Sequence, residues 1–373
     1  MTEALPPTFG FVVHPLTPFQ RRLLGVRTLD MGLALRGGAP PTPDQAAHPG
    51  QARVVARLAL ADPLGHRATG VLVSVPALPE ELLTDQARGV ELVSEAVALC
   101  HAEGAAIVGL GAVAAVIGGQ GKAVAKAAPC PVTTGNGMTA WAAAQTLALL
   151  RREGLPVGPV GLLGPPGPVA HGVLRQLVRV GEVVRVVADR PPRPLVQAVE
   201  QLNAEGPGRV EFVDEATKVL ADGQLLVAAS STGGRLRASK LPPGSIVMDV
   251  AEPLDVIRDV RRTDILLLDG EYVRLPRRLA GGFWHKVYGT VTGQGRHIFA
   301  CFAEPMLFAL AGTAAHCSVG REVPLDRLDA IADLAAQHGF FVDQLHAGGR
   351  RFQGAWRAPG PNPIVIGGQH AGR

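Results

Sequence analysis

The chain has 373 residues, 47% hydrophobic, 18% charged and 4% aromatic, with a formal net charge of +4. That length exceeds one compact core and predicts two domains, filled mainly by Ala, Val and Leu. The basic residues are scattered rather than gathered into a stripe, which argues against a nucleic-acid surface.

The four cysteines, Cys100, Cys130, Cys301 and Cys317, follow no CxxC or other metal-ligand spacing, so no metal is expected from them. Free thiols in a reducing cytoplasm are the simplest expectation. The opening "MTEALPPTFGFVVHPLTP" lacks a basic region followed by a sustained apolar stretch, so no secretory signal is expected. The longest uncharged apolar run, 104–119, carries five glycines. It falls short of the roughly 18 to 20 residues that span a bilayer. No transmembrane segment is expected, and peripheral membrane contact stays open.

In chain order, "TFGFVVHPL" (8–16) and "GVLVSVPAL" (70–78) read as buried strands. Residues 79–104 have helical apolar spacing, with acidic residues at the start and Gly104 as a stop. "AAIVGLG" (105–111) is strand-like, and 137–154 is an Ala- and Leu-rich helix closed by a glycine. Then "PVGLLG" (159–164), "VAHGVLRQLVRVG" (169–181) and "EVVRVVAD" (182–189) give strand, glycine turn, helix and strand. That is the opening of a dinucleotide-binding fold. Further strands are predicted at 209–214, 223–230, 244–250 and 264–270, and a strong helix at 326–340. The Gly-, Pro- and Arg-rich residues 346–373 read as a flexible tail in which "PIVIGG" is a candidate edge strand.

The glycine turn has the pattern Gly164-x-x-Gly167-x-x-Ala170. Glycines allow a tight turn and close approach to a pyrophosphate, a small third residue allows helix and strand to pack, and the helix N-terminus faces the phosphates. Pro165, Pro166 and Pro168 have no N–H to offer, so a Rossmann-like unit without cofactor is the competing expectation. Asp189 stands where an acidic residue holds a ribose 2′-hydroxyl, whereas Arg190 and Arg193 suit a 2′-phosphate. The arginines outnumber the acid, which favours NADPH over NADH. Ser230 and Ser231, in "SSTGG" after a strand, are further cofactor-binding candidates, with a simple turn as the alternative.

Cys301 lies in "GRHIFACFAEPMLFAL" (295–310), where three geometries are open. In one continuous helix, His297 lies one turn before Cys301 and Glu304 lies close, so an imidazolium beside the thiol would favour thiolate. Pro305 would clash with the Cys301 carbonyl in that helix. A helix starting near 305 instead leaves Cys301 in the preceding turn, at the positive end of the dipole. The third is a buried structural cysteine, the commoner fate of a Cys flanked by Phe and Ala. His14 reads as a packed or capping histidine, with a side chain pointing into the site as the alternative, and His285, Lys286 and Tyr288 read as a loop with polar tips, with a lid or acid–base element as the alternative.

Five blocks in order carry a family resemblance: "FGFVVHPLTP", "VTTGNGMTAWAA" (132–143), the glycine turn, "IFACFAEPMLFAL" (298–310) and "LDAIADLAAQHGF" (328–340). Over roughly residues 9 to 342 the chain resembles the cyanobacterial long-chain acyl-[acyl-carrier-protein] reductases, which make fatty aldehydes with NADPH. The resemblance implies that Cys301 takes the acyl group from a carrier thioester and that the cofactor then delivers hydride. It implies Gly164, Gly167 and Ala170 as the cofactor turn, Ala170 standing where the family has a third glycine. It also implies Thr133, Thr134, Gly135 and Asn136 as lining of the substrate site. His297 and Glu304 are candidate assisting groups beside Cys301.

The expected architecture is α/β. An N-terminal α/β substrate domain (1–154) precedes a Rossmann-like domain (155–294), and C-terminal helices (295–345) pack back ahead of the tail (346–373). The expected activity is reduction of an acyl thioester, on acyl-carrier protein or coenzyme A, to an aldehyde. Two alternatives stand beside it. One is another two-domain NAD(P)-dependent dehydrogenase of the shikimate or glutamyl-tRNA reductase type; the other is a non-catalytic acyl- or partner-binding protein. The sequence leaves the oligomeric state open.

Overall fold

A computed structural model of the chain describes residues 8–15, 51–156, 158–221, 225–281, 293–359 and 364–367. The fold is mixed α/β with two compact units. The first comprises Met1–Gly135, Leu275–Gly320 and Leu334–Phe340; the second comprises Asn136–Arg274, Arg321–Asp333 and Phe341–Arg373. The expected consecutive blocks are therefore replaced by interleaved ones, with the first break at 135 rather than near 154. The reason is local. Helix Asn136–Arg152 packs on helix Pro168–Arg179, where a Cβ on Gly172 would lie 2.8 Å from Ala140 Cβ and Gln176 Nε2 donates to the Ala140 carbonyl at 3.0 Å.

The first unit is built on a sheet in which four adjacent strands, ending at one edge, are parallel. They are β1 (Phe9–Val13), β3 (Arg67–Ser74), β4 (Ile107–Leu110) and β5 (Val132–Thr133), in the order β3-β1-β4-β5. β2 (Arg53–Ala61) runs antiparallel on β3. β1 reads "FGFVV" with every residue buried, the continuous apolar pattern of a strand covered on both faces. Helix α2 (Gln86–Ala102), which follows α1 (Pro79–Thr84), covers one face through Leu92, Val93, Ala96, Val97 and Cys100. The apolar run 104–119 becomes β4 and a short helix, α3 (Val113–Gln120), followed by α4 (Lys122–Ala127). Among the described residues no helix is long and apolar enough to cross a membrane.

In the second unit, α5 (Asn136–Arg152) precedes β6 (Val160–Leu163), α6 (Pro168–Arg179), β7 (Val183–Val187), α7 (Arg193–Glu205) and β8 (Arg209–Val213). β9 (Leu225–Ala228), β11 (Ile246–Asp249) and β13 (Leu266–Asp269) complete six parallel strands in the order β8-β7-β6-β9-β11-β13. Counted from β6, that order is 3-2-1-4-5-6, the doubly wound dinucleotide-binding arrangement, with its switch point between β6 and β9. Continuous apolar strands such as "VGLL" and "LLVA", buried throughout, account for the parallel pairing.

Part of the stretch expected as a flexible tail has regular structure. β18 (His346–Ala347) joins β13 antiparallel and pairs in turn with β19 (Arg350–Arg351). β20 (Ala355–Arg357) pairs with β21 (Val365–Gly367), so "PIVIGG" does enter a strand pair. Ile366 is wholly buried, and Gly367 N–H donates to the Glu153 carbonyl at 3.1 Å, which gives this segment an apolar anchor despite its Gly and Pro content.

Candidate active site

In the first unit, strand β17 (His297–Phe299) leads directly into helix α9 (Ala300–Leu310), whose N-cap is Phe299. Cys301 is thus the second residue of the helix. Neither sequence-based boundary holds: the helix begins after 295 and before 305. His297 lies in the strand and not on a helical face one turn before Cys301. Pro305 is inside the helix and has no N–H for the Cys301 carbonyl. The helix tolerates it because Pro305 Cγ fills space over Gly109, where a Cβ would lie 2.7 Å away. On that face Phe302 also meets Phe11, ring centroids 4.6 Å apart.

The segment Thr133–Gly135 fixes the first turn of α9. Gly135 has φ +73°, and a Cβ there would lie 2.3 Å from Cys301 Cα and 2.5 Å from Cys301 Cβ. Only glycine lets the turn after β5 lie directly against the cysteine. Glu304, one turn further along and fully buried, accepts on Oε1 from Thr133 Oγ1 and from Ser318 Oγ, the latter at 2.8 Å. The Thr133 hydroxyl in turn accepts from Gly135 N–H at 3.2 Å. Thr134 Oγ1 donates to the Ser318 carbonyl. A carboxyl group in this setting needs such donors, because burying it without them costs several kcal/mol. Glu304 is therefore the anchor that ties α9 to β5.

This hydroxyl clamp predicts the behaviour of two variants. Thr133→Val keeps the volume but removes a donor to Glu304 and the acceptor of Gly135 N–H, at an expected cost of about 1–3 kcal/mol. Thr133→Ser is expected to retain most of that stability. Urea midpoints decide the matter: equal losses in the two variants would assign the effect to packing and not to the hydroxyl.

Of the four cysteines Cys301 alone is partly exposed; Cys100, Cys130 and Cys317 are buried. Burial pushes the Cys130 thiol up to about 11 and the Cys100 thiol higher still, which marks both as inert core thiols. At Cys301 the N-terminal end of an 11-residue helix favours negative charge on the sulfur.

His14 proves to be a capping residue. Its Nε2 accepts from Val113 N–H, which opens α3, at 3.3 Å, and burial lowers its pKa. His285, Lys286 and Tyr288 lie outside the described residues. Ser318 and His316, the latter accepting from Val132 N–H through Nδ1 at 3.1 Å, escape a reading of the sequence. The left-handed backbone of Ser318, at φ 55°, belongs to the fold and leaves no mark in the sequence.

In the second unit, the glycine turn joins β6 to α6 at the switch point. Gly164 has φ +126°, and a Cβ there would lie 2.5 Å from the Ala229 carbonyl oxygen, in the turn after β9. Gly167 is the N-cap of α6, with Ser231 Oγ only 3.1 Å from where its Cβ would be. Its own N–H donates back to the Gly164 carbonyl at 2.9 Å. Pro165, Pro166 and Pro168 supply no N–H, while His171 N–H already bonds Gly167. The first-turn donors without an intrahelical acceptor are thus the amides of Val169 and Ala170. The cradle fits a pyrophosphate, with the amide of the partly exposed Val169 and the helix N-terminus to hold it.

The remaining candidates in this unit separate. Ala170 is fully buried in the core beneath the turn. Asp189 and Arg190 stand just beyond β7, their side chains 75% and 94% exposed and 3.7 Å apart. Ser230 is buried and committed to Asp255, donating from its N–H at 2.8 Å and from Oγ at 2.5 Å. Ser231 is the member of the pair that reaches the cradle. Nearby, burial pushes Asp249 up to about 6 although its carboxyl accepts from Val256, Ala251 and Asp255 N–H groups. Asn136 is the first residue of α5, and its Nδ2 is buried with no acceptor among the described residues.

No family profile matches the chain. It is 32% identical over 295 residues to the aminotransferase PigE of a Serratia species, covering 77% of this chain and 34% of that protein. It is 26% identical over 221 residues to the long-chain acyl-[acyl-carrier-protein] reductase of Synechococcus elongatus, covering 56% of this chain and 61% of that enzyme. The chain therefore spans about a third of the first relative and less than two thirds of the second. Among solved structures, L-tryptophan dehydrogenase from Nostoc punctiforme aligns over 89% of both chains with a TM-score of 0.35 and 11% identity.

Proposed function

We propose that the chain is an NAD(P)H-dependent oxidoreductase that reduces an acyl thioester to an aldehyde through a Cys301 acyl-enzyme. The observation that carries this reading is Cys301 itself. It is the one partly exposed thiol, seated in the first turn of α9 and braced by Gly135 and the Glu304 anchor. The similarity to an acyl-[acyl-carrier-protein] reductase and the 3-2-1-4-5-6 sheet order support it.

In this reading the Cys301 thiolate attacks the thioester carbonyl. A Cys301–acyl bond forms, the carrier C–S bond breaks, and the carrier leaves as a thiol after taking a proton. A nicotinamide nucleotide, when bound, supplies the hydride that reduces the acyl carbon. Collapse then breaks the Cys301–acyl bond, releases the aldehyde and returns the thiolate. The end of α9 favours the sulfur's negative charge before attack and again at release. Gly164, Gly167, the Val169 amide and Ser231 would hold the pyrophosphate, with Ala170 packed beneath the turn. Asp189 with Arg190 and Arg193 would meet the adenosine ribose, the two arginines favouring the 2′-phosphate of NADPH over NADH. The acyl carrier is acyl-carrier protein or coenzyme A, and four cysteines with no disulfide among the described residues suit a reducing cytoplasm.

The test is a two-stage incubation followed by intact mass. A long-chain acyl thioester without nucleotide is expected to add one acyl group to the protein. NADPH is then expected to remove that group and yield aldehyde. Nucleotide oxidation with no acyl-protein would favour a different dehydrogenase. Absence of nucleotide binding by calorimetry would favour a binding protein without catalysis.

A further inference from the structure

A second cluster of reactive side chains lies in the first unit, in the turn between β2 and β3. We propose that Asp62, His66 and His338 form a binding site for a zinc-type divalent cation. Asp62 follows β2 and is buried, and His66 immediately precedes β3. His338 is the last residue of α10 (Leu325–His338) and is also buried. Asp62 Oδ2 lies 2.7 Å from His66 Nδ1 and 2.7 Å from His338 Nδ1. One ligand atom from each of the three residues lies within 4.8 Å of the other two.

Two imidazoles and one carboxylate are a donor set that zinc uses, and three protein ligands leave a fourth position for water or another ligand. With metal–ligand bonds of about 2.0–2.2 Å, tetrahedral ligands stand about 3.3–3.6 Å apart. The two contacts to Asp62 would have to open by about 0.6–0.9 Å to admit the ion, with the two imidazole nitrogens taking up the same spacing. The backbone holds the donors in readiness. Asp62 N–H donates to the His66 carbonyl at 3.1 Å, Gly65 N–H donates to the Asp62 carbonyl at 3.3 Å, and His66 N–H donates to Asp62 Oδ1 at 2.8 Å. Gly65 makes this turn at φ +93°. The carbonyl end of α10 adds partial negative charge where the cation would sit. An entry path exists because the His66 side chain is 50% exposed.

His66 and His338 both turn Nδ1 toward the one Asp62 oxygen, and their rings stand edge-on with centroids 5.3 Å apart. An ion held by the two Nδ1 atoms and that oxygen would join positions 276 apart in sequence, a clip across a long loop.

The experiment uses the full chain, reduced and freed of metal by chelation, titrated with Zn²⁺ by calorimetry and with Co²⁺ by absorption. One Co²⁺ is expected to bind with a tetrahedral visible spectrum lacking thiolate-to-cobalt charge transfer. Zn²⁺ is expected to raise the thermal midpoint. His66→Ala alters a half-exposed residue and should fold normally by circular dichroism. It is expected to lose at least about tenfold in affinity and the Zn²⁺-dependent rise in midpoint. A charge-transfer band, which would mean cysteine ligation, overturns the proposal. So does the absence of a tetrahedral Co²⁺ spectrum, or an unchanged Zn²⁺ affinity in His66→Ala.

Discussion

Cys301→Ala is expected to lower aldehyde formation by at least about a thousandfold and to abolish acyl transfer to the protein. The fold should survive, since alanine suits the first turn of a helix and the cysteine is partly exposed. Nucleotide binding should be unchanged, because the glycine turn belongs to the other unit. Cys301→Ser makes the sharper comparison. Its hydroxyl is expected to accept an acyl group slowly and then to keep it, because an ester is far less electrophilic toward hydride than a thioester. Intact mass should show acyl-serine that persists after NADPH is added, with no aldehyde. If Cys301→Ala kept the wild-type rate, the acyl-enzyme would be ruled out.

Gly135→Ala is expected to destabilise the first unit by more than about 3 kcal/mol. Two effects combine there. An L-residue at φ +73° costs about 1–2 kcal/mol. The added carbon would also lie 2.3 Å from the Cα of Cys301, a backbone atom that moves only if the start of α9 moves. Gly119→Ala separates the two effects, because Gly119 shares φ +73° and a Cβ there would meet nothing within 4 Å. Urea midpoints should therefore show a loss of about 1–2 kcal/mol for Gly119→Ala and a clearly larger one for Gly135→Ala. Equal losses would mean that the contact with Cys301 relaxes without cost. Since the displaced residue is the proposed nucleophile, Gly135→Ala is also expected to acylate more slowly than wild type.

Apolar periodicity makes much of this legible in the sequence. The strands of the second unit and the glycine turn lie where alternation and spacing put them, because each is a short apolar run bounded by turn residues. The interleaving of the units is not legible, since local pattern does not say that Leu275–Gly320 and Leu334–Phe340 belong with the first unit. The start of α9 eludes the local pattern for a physical reason. Pro305 argues against an interior helical position, and the room that admits it is supplied by Gly109, nearly 200 positions away. Glu304 stands out as a neighbour of Cys301, but its partner Thr133 is 171 positions earlier. The cysteine spacing points to no metal, whereas Asp62 and His338 meet only through the tertiary fold.

The three prolines around Gly167 have a kinetic side. They narrow the conformations open to the turn before anything docks, so little ordering entropy remains to be lost on association. Gly164, wedged against the Ala229 backbone, limits the motion of the turn further. With few amides to grip and little to rearrange, such a turn would, in the proposed reading, suit a nucleotide that comes and goes with each turnover better than one held as a permanent guest.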